Sequence, residues 1–260
     1  MTQNFVNICI LSYKRAGRVA GYNYFPTAKI VIPESQKNEY LACYDKNRLI
    51  IIPDKNDGLC VKKRIWIMNN IKRPLLMLDD DVKAIVMTEG MYKVKRNKHY
   101  KATEKITLTS EQADNFIING FNLAYQFGCK FWGINVNTDR RNYQQYKPFS
   151  LTQPILGPFQ AHLNHDLNYD ERTGTKQDYD FSLQMLNRYN KILRINKYAY
   201  DCKHGDNSGG SVSSRTQKIE INYCEAIMRK WGKNIIKYRI PPLKKTDLLN
   251  GRVNIPIKGV

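Results

Sequence analysis

The sequence predicts an α/β fold, a single domain with a mainly parallel central sheet flanked by helices. Three observations carry this reading. Short apolar runs recur at close spacing, over residues 7–11, 29–33, 49–53 and 74–78, each of strand length and each bounded by polar or turn-forming residues. A helical pattern falls between the third and fourth runs, and the order strand, strand, strand, helix, strand favours parallel pairing. Finally, the 260 residues are 42% hydrophobic and 11% aromatic, which supplies a real core and excludes a disordered chain.

In chain order, the first strand ends in Ser12-Tyr13-Lys14-Arg15-Ala16-Gly17. A strand feeding a basic, glycine-containing turn suits a nucleotide's base and phosphates, although the spacing is neither a Walker loop nor G-x-G-x-x-G, and an ordinary exposed turn fits equally well. The second strand leads into Glu34-Ser35-Gln36 and a helix or turn over 38–44. After the third strand, Asp57 is placed to cap a helix over 58–70 whose Val61, Ile65 and Met68 share one face. Lys62, Lys63 and Arg64 lie in its early turns, either on a solvated face or within reach of phosphates. The fourth strand, Leu75-Leu76-Met77-Leu78, stops abruptly at Asp79-Asp80-Asp81.

Residues 91–105 are polar and basic, a surface loop or hairpin in which Tyr92 and Tyr100 alternate with lysines, a composition suited to nucleic acid. Thr109 or Ser110 caps a helix with Ala113, Phe116, Ile117, Phe121, Ala124 and Tyr125 on its apolar face, closed by Gly128. A strand over 131–136 precedes a polar stretch with Arg140 and Arg141, and a further strand is expected within 153–163. The segment Gln177-Asp178-Tyr179-Asp180-Phe181 opens a helix, where the macrodipole favours carboxylates. A strand over 192–198, a glycine-rich loop containing His204, a helix over 217–231 closed by Gly232, a last strand within 233–240 and a basic, irregular tail over 241–260 complete the chain.

Lys and Arg number 42 against 23 Asp and Glu, a net charge of +19, which points to a polyanionic partner. A lysine-rich codon bias would give the same charge with no partner. The six cysteines form no C-x-x-C pair, so a zinc ribbon and a disulfide framework are not expected. No apolar run is long enough to span a bilayer, and the first residues do not resemble a signal peptide, so the expectation is a cytoplasmic protein without membrane association.

Three groups are candidates for chemistry: the Asp79-Asp80-Asp81 run, the Asp178 and Asp180 pair, and His204. Adjacent carboxylates repel one another unless a cation lies among them, and hard divalent ions such as Mg²⁺ take carboxylate oxygens; an imidazole ligand tilts the preference towards Mn²⁺. In an extended segment Asp79 and Asp81 share a face, which makes Asp81 the first candidate for direct ligation and turns Asp80 to the other side. Each group alone also has a plain structural reading, as a turn, a helix cap or an exposed histidine. The residues therefore leave open a metal-dependent transferase acting on DNA or on a non-DNA acceptor, a metal-dependent nuclease or nucleotidyltransferase, and a basic nucleic-acid-binding protein.

The order of these motifs resembles the metal-dependent nucleotide-sugar glycosyltransferases of the GT-A (Rossmann-like) fold. More narrowly, Ile10-Leu11-Ser12-Tyr13-Lys14-Arg15, Val31-Ile32-Pro33-Glu34-Ser35-Gln36, Leu76-Met77-Leu78-Asp79-Asp80-Asp81 and Gln177-Asp178-Tyr179-Asp180-Phe181 resemble the TET/JBP-associated glycosyltransferases of phages, relatives of the base J enzyme. The resemblance spans roughly residues 8–210 and implies a nucleotide-sugar half over about 1–90 and an acceptor half over about 91–240. It implies Asp79-Asp80-Asp81 as the D-x-D motif, with Asp79, Asp81 and His204 holding Mn²⁺ or Mg²⁺. Ser12, Lys14, Arg15, Glu34, Arg64, Asp79 and Asp80 would meet a UDP-sugar, and Asp178, with Asp180 second, would be the base. The implied acceptor is the hydroxymethyl group of a modified pyrimidine, most readily 5-hydroxymethylcytosine, in DNA, and a phage-encoded enzyme would work in the host cytoplasm. The chain departs from the family pattern in one place: many relatives carry an acidic pair directly before the helix, whereas this chain has Gln177 before Asp178, so both Asp178 and Asp180 stand as candidates for the base.

Overall fold

The computed structural model describes residues 6–90, 93–95, 98–100, 103–136, 138, 143, 146–202, 216–237 and 252–253. Strands β1 (Asn7–Leu11), β2 (Lys29–Pro33), β3 (Leu49–Ile52) and β4 (Leu75–Asp79) are interrupted by the short helix α1 (Lys37–Leu41) and by α2 (Cys60–Asn70). Then follow β5 (Val82–Gly90), β6 (Lys93–Lys95), β7 (Lys98–Tyr100), β8 (Thr103–Thr107), α3 (Ser110–Gln126), β9 (Phe131–Asn135), β10 (Phe149–Ser150) and β11 (Phe159–His162). The chain continues through α4 (Gln177–Tyr189), β12 (Leu193–Cys202), α5 (Gln217–Trp231), β13 (Ile236–Lys237) and β14 (Arg252–Val253).

The large sheet runs in the order β3-β2-β1-β4-β11-β9-β12-β5-β8, with β10 beside β12. β3, β2, β1 and β4 are parallel throughout. Only β11 and β5 run against the direction shared by the rest of that ordered path, so the sheet is mostly parallel, as a GT-A-like fold requires. The antiparallel β11 joins the parallel β4 to β9, and the antiparallel β5 lies between β12 and the edge strand β8.

The apolar runs are continuous because the sheet is covered on both faces. Leu76 and Leu78 point into a core with Ile10, Ile30, Phe116, Phe121 and Trp132, beneath α3. Leu75 and Met77 point the other way, into a core with Val61, Ile67 and Met68 of α2 and Phe181 and Met185 of α4. A third, smaller cluster joins Tyr179 and Leu183 of α4 to Ile227 of α5 and to Ile236. Helix α3 carries the expected capping box, with Thr109 and Gln112 each bonding the other's backbone N–H.

Several expectations need correction. Asp57 does not cap α2, whose N-cap is Leu59; its carboxylate instead pairs with the buried Lys63 ammonium at 3.1 Å. The long strand β5 and its partner β8 were not expected as strands. The basic segment after it does contain a hairpin, β6 with β7. The carboxy-terminal tail is not wholly irregular, since β14 pairs with β13. None of the six cysteines is in a disulfide. Among the described residues no helix is long and apolar enough to cross a membrane.

Candidate active site

Register builds the site. Leu11, the last residue of β1, lies opposite Asp79, the last of β4, so the Ser12–Gly17 turn and the acidic run emerge side by side. They do so at the carboxyl ends of parallel strands, where open α/β sheets place ligands.

Asp80 does not face that opening. It is 5% exposed, and its carboxylate accepts from Ser12 Oγ at 2.6 Å and pairs with the Arg15 guanidinium. Burial raises its pKa, opposed by the Ser12 hydrogen bond and the Arg15 charge. Ser12 shares a further hydrogen bond with Tyr40 Oη at 2.7 Å, and that hydroxyl accepts from the Arg15 backbone N–H at 3.0 Å. The buried Lys63 ammonium donates to the Ser12 carbonyl. Ser12, Arg15 and Asp80, expected to meet the nucleotide, thus bond one another and fix the turn. Lys14 and Gly17 are the exposed residues of that turn; Lys14 has φ +54°, its N–H donating to the buried Gln36 at 2.8 Å. Glu34 is exposed nearby in sequence, in a short 3₁₀ turn.

Asp79 behaves differently. Its side chain keeps 37% of its exposure and takes a 2.8 Å ion pair from Arg64, whose own side chain is 1% exposed. Helix α2 thus delivers Arg64 to the end of β4, while Lys62, from the same basic run, turns outward to Glu171 at 3.1 Å. Arg64 Nε also lies 3.3 Å from Cys60 Sγ, and its guanidinium stands 5.9 Å from the Tyr169 ring centroid.

Arg64 and Asp79 line a cavity of about 80 Å³ whose other walls are Leu59, Cys60, Gly157, Gly174, Thr175, Gln177 and Asp178. The cavity brings Asp79, from the end of β4, and Asp178, from the start of α4, to one place. Asp178 accepts from the Gly157 N–H and the Tyr179 N–H, each at 2.9 Å. Burial raises its pKa, against those two hydrogen bonds and the nearby Arg64 and Lys176 charges. Gln177 Oε1 and Thr175 Oγ1 are buried without a hydrogen-bond partner among the described residues. Buried polar atoms are nearly always paired, so two unpaired ones in the wall of one cavity mark a place for a polar ligand.

Asp180 does not line the cavity. It is fully buried and accepts from Trp231 Nε1 at 2.7 Å, Lys230 Nζ at 3.0 Å and Gln184 Nε2 at 2.7 Å.

Asp81 sits in the turn between β4 and β5, which breaks the strict alternation expected of an extended run. It hydrogen-bonds Cys202, and burial followed by the Asp81 and Asp79 charges pushes that thiol's pKa up. Cys202 ends β12 two residues before His204. His204 itself lies outside the described residues, as do Arg140 and Arg141. Among the described residues no group of three His, Cys, Asp or Glu could hold a metal.

Sequence reasoning missed Cys60, Thr175 and Tyr200. Tyr200 is 5% exposed; burial raises its pKa, and Cys202, Asp178, Asp79 and Asp81 all add to that rise. Its hydroxyl fills the space a Cβ on Gly157 would need, 2.4 Å away. Only Gly157, between Pro154 and Pro158 and at φ +76°, carried a sequence signal of a special turn.

A family model described as TET-Associated Glycosyltransferase matches residues 7–210 of the chain. No curated protein and no solved structure matches it.

Proposed function

The chain belongs to the TET-associated glycosyltransferase family, a family of enzymes that modify DNA bases, and from that premise we propose that it moves a sugar from a UDP-sugar to 5-hydroxymethylcytosine in DNA with a divalent metal. The observation that carries the proposal is the cavity between Asp79 and Asp178 with the unpaired Gln177 Oε1 and Thr175 Oγ1 in its wall. Flanking carboxylates repel a phosphate, whereas a neutral, hydroxyl-rich ring can donate to Gln177 and Asp79 and accept from Arg64. The cavity is the seat for the transferred sugar.

Asp178 is the base. Its partly buried carboxylate holds a proton more tightly than a solvated one, which suits it to take the proton of a hydroxymethyl group. As that proton passes to Asp178, the hydroxymethyl oxygen bonds to the anomeric carbon. The bond from that carbon to the diphosphate breaks, and the diphosphate leaves with the electron pair. Lys14 is exposed on the neighbouring turn to meet the phosphates.

Mg²⁺ or Mn²⁺ keeps several waters and uses one or two carboxylates together with substrate phosphates, so Asp79, which ends β4, and Asp81, in the turn that follows, would hold the ion with His204. When bound, the ion would neutralise the departing diphosphate as a Lewis acid. The exposed Tyr146 and Phe149, beside the polar stretch with Arg140 and Arg141, offer stacking surfaces for DNA.

The test is to mix the protein with hydroxymethylcytosine duplex, Mn²⁺ and a panel of UDP-sugars, then digest and weigh the nucleosides. One donor should add the mass of one sugar to hydroxymethylcytosine, and EDTA should abolish the gain. DNA cleavage, or no mass gain with any donor, would refute this substrate assignment.

A further inference from the structure

The helix α5 begins beyond residue 210, outside the stretch that carries the family match, yet it grips the segment that presents Asp178. Four contacts make the grip. Lys176 and Glu220 form an ion pair at 2.7 Å with side chains 6% and 5% exposed. Gly174, at φ +48°, is where the chain leaves helical geometry just before α4, and the Tyr223 ring lies where its Cβ would be, 2.2 Å away. Asp180 takes hydrogen bonds from Trp231 and Lys230, and Lys230 bridges on to Asp170 at 2.9 Å. Tyr179 and Leu183 pack against Ile227. Gly174 is both gripped and part of the cavity wall, and Lys176, Tyr179 and Asp180 are interspersed with Thr175, Gln177 and Asp178, which line the cavity. The segment is thus held by α5 and presented to the site by the same few residues.

We propose that Asp180 is a positioning residue, and that α5, holding Gly174, Lys176 and Asp180, keeps Asp178 and Gln177 aimed into the cavity. The inference rests on Asp178 being the base of the proposed transfer. A short segment with a non-helical glycine has no stiffness of its own, so the direction of Asp178 depends on what its neighbours are fastened to. An aspartate two residues from the base, fully buried, bonded by three donors and outside the cavity wall, is built for that purpose.

The test compares Asp178→Asn, Asp180→Asn and Trp231→Phe in the full chain, reading kcat, the KM for donor and the pH dependence of kcat. Asp178→Asn should abolish transfer. Asp180→Asn should lower kcat on the order of a hundredfold, the scale of a misplacement near one ångström, with donor KM little changed. Its remaining activity should still fall on the acid side as the wild type's does, because Asp178 is still the group that titrates. Trp231→Phe removes a single hydrogen bond without emptying the core, and should lower kcat in the same direction while its unfolding midpoint stays near wild type. An Asp180→Asn enzyme that lacks the acid limb would make Asp180 the base and overturn the proposal. So would wild-type kcat in both Asp180→Asn and Trp231→Phe, with Asp178→Asn inactive, and in that case the base assignment would survive. Full activity of Asp178→Asn would overturn the base assignment and this proposal together.

Discussion

Asp79, Asp80 and Asp81 are neighbours with three different surroundings, and the differences follow from where β4 stops. Asp79 is still strand and stays half-exposed beside Arg64, while Asp80 begins the turn and is drawn inside by Ser12 and Arg15. Breaking a buried ion pair from one side leaves an uncompensated charge. Asp80→Ala should therefore lose about 3–5 kcal/mol of stability, read as a lower urea midpoint at unchanged slope. A midpoint equal to wild type would mean that the Asp80 lock does not hold the turn. Asp178 makes a prediction about pH. A base works deprotonated, and burial raises this carboxyl's pKa. Activity should thus be full at high pH and fall, as pH drops, before an ordinary solvated aspartate would titrate. A kcat that stays flat down into the ordinary aspartate range would contradict the raised value.

At the scale of elements, what the sequence reveals depends on whether the signal is local. β1, β2 and α5 are legible because burial on both faces, or one apolar stripe, writes itself into consecutive residues. β5 is not legible: its polar Lys83, Thr88 and Glu89 interrupt the apolar run, and although β8 pairs with it from nearby in sequence, its other partner is β12, where Tyr198 lies opposite Met87, more than a hundred residues away. The same divide runs through the site. Asp178 is marked by its place at a helix start, but Thr175, Gln177 and Tyr200 acquire meaning only when β4, α2 and α4 converge. Asp180 looks like a second acid of the same kind until Trp231 arrives from α5. Tertiary context also reverses a propensity rule at Gly120, in the middle of α3. Alanine in a helix interior is ordinarily better than glycine by about 1 kcal/mol. Here the added Cβ would lie 2.2 Å from the Trp132 ring, which fixes how closely α3 approaches β9. Overpacking costs about 1–3 kcal/mol, so Gly120→Ala should destabilise the protein in chemical denaturation. A gain in stability would show that the contact between α3 and β9 is loose.

At the scale of the molecule, the proposed transfer separates two kinds of binding by depth. The cavity proposed for the donor is lined by Arg64, Asp79 and Asp178, with Arg64 buried and Asp79 partly exposed, and charges out of full solvent are screened less by salt. The net charge of +19 is far more than that cavity uses, and lysines crowd the stretch that contains the β6–β7 hairpin. A DNA acceptor held by its phosphates releases counterions, so its affinity must fall steeply with salt, by on the order of a thousandfold between about 50 and about 200 mM when some six phosphates are engaged. The measurement is KM for hydroxymethylcytosine duplex and KM for the donor, each followed across that salt range at saturating levels of the other substrate. The DNA term should climb steeply and the donor term should change far less. Equal, shallow dependence of both would assign the basic excess to solvation rather than to the acceptor, and would return the lysines of the hairpin segment to the role of an ordinary solvated surface.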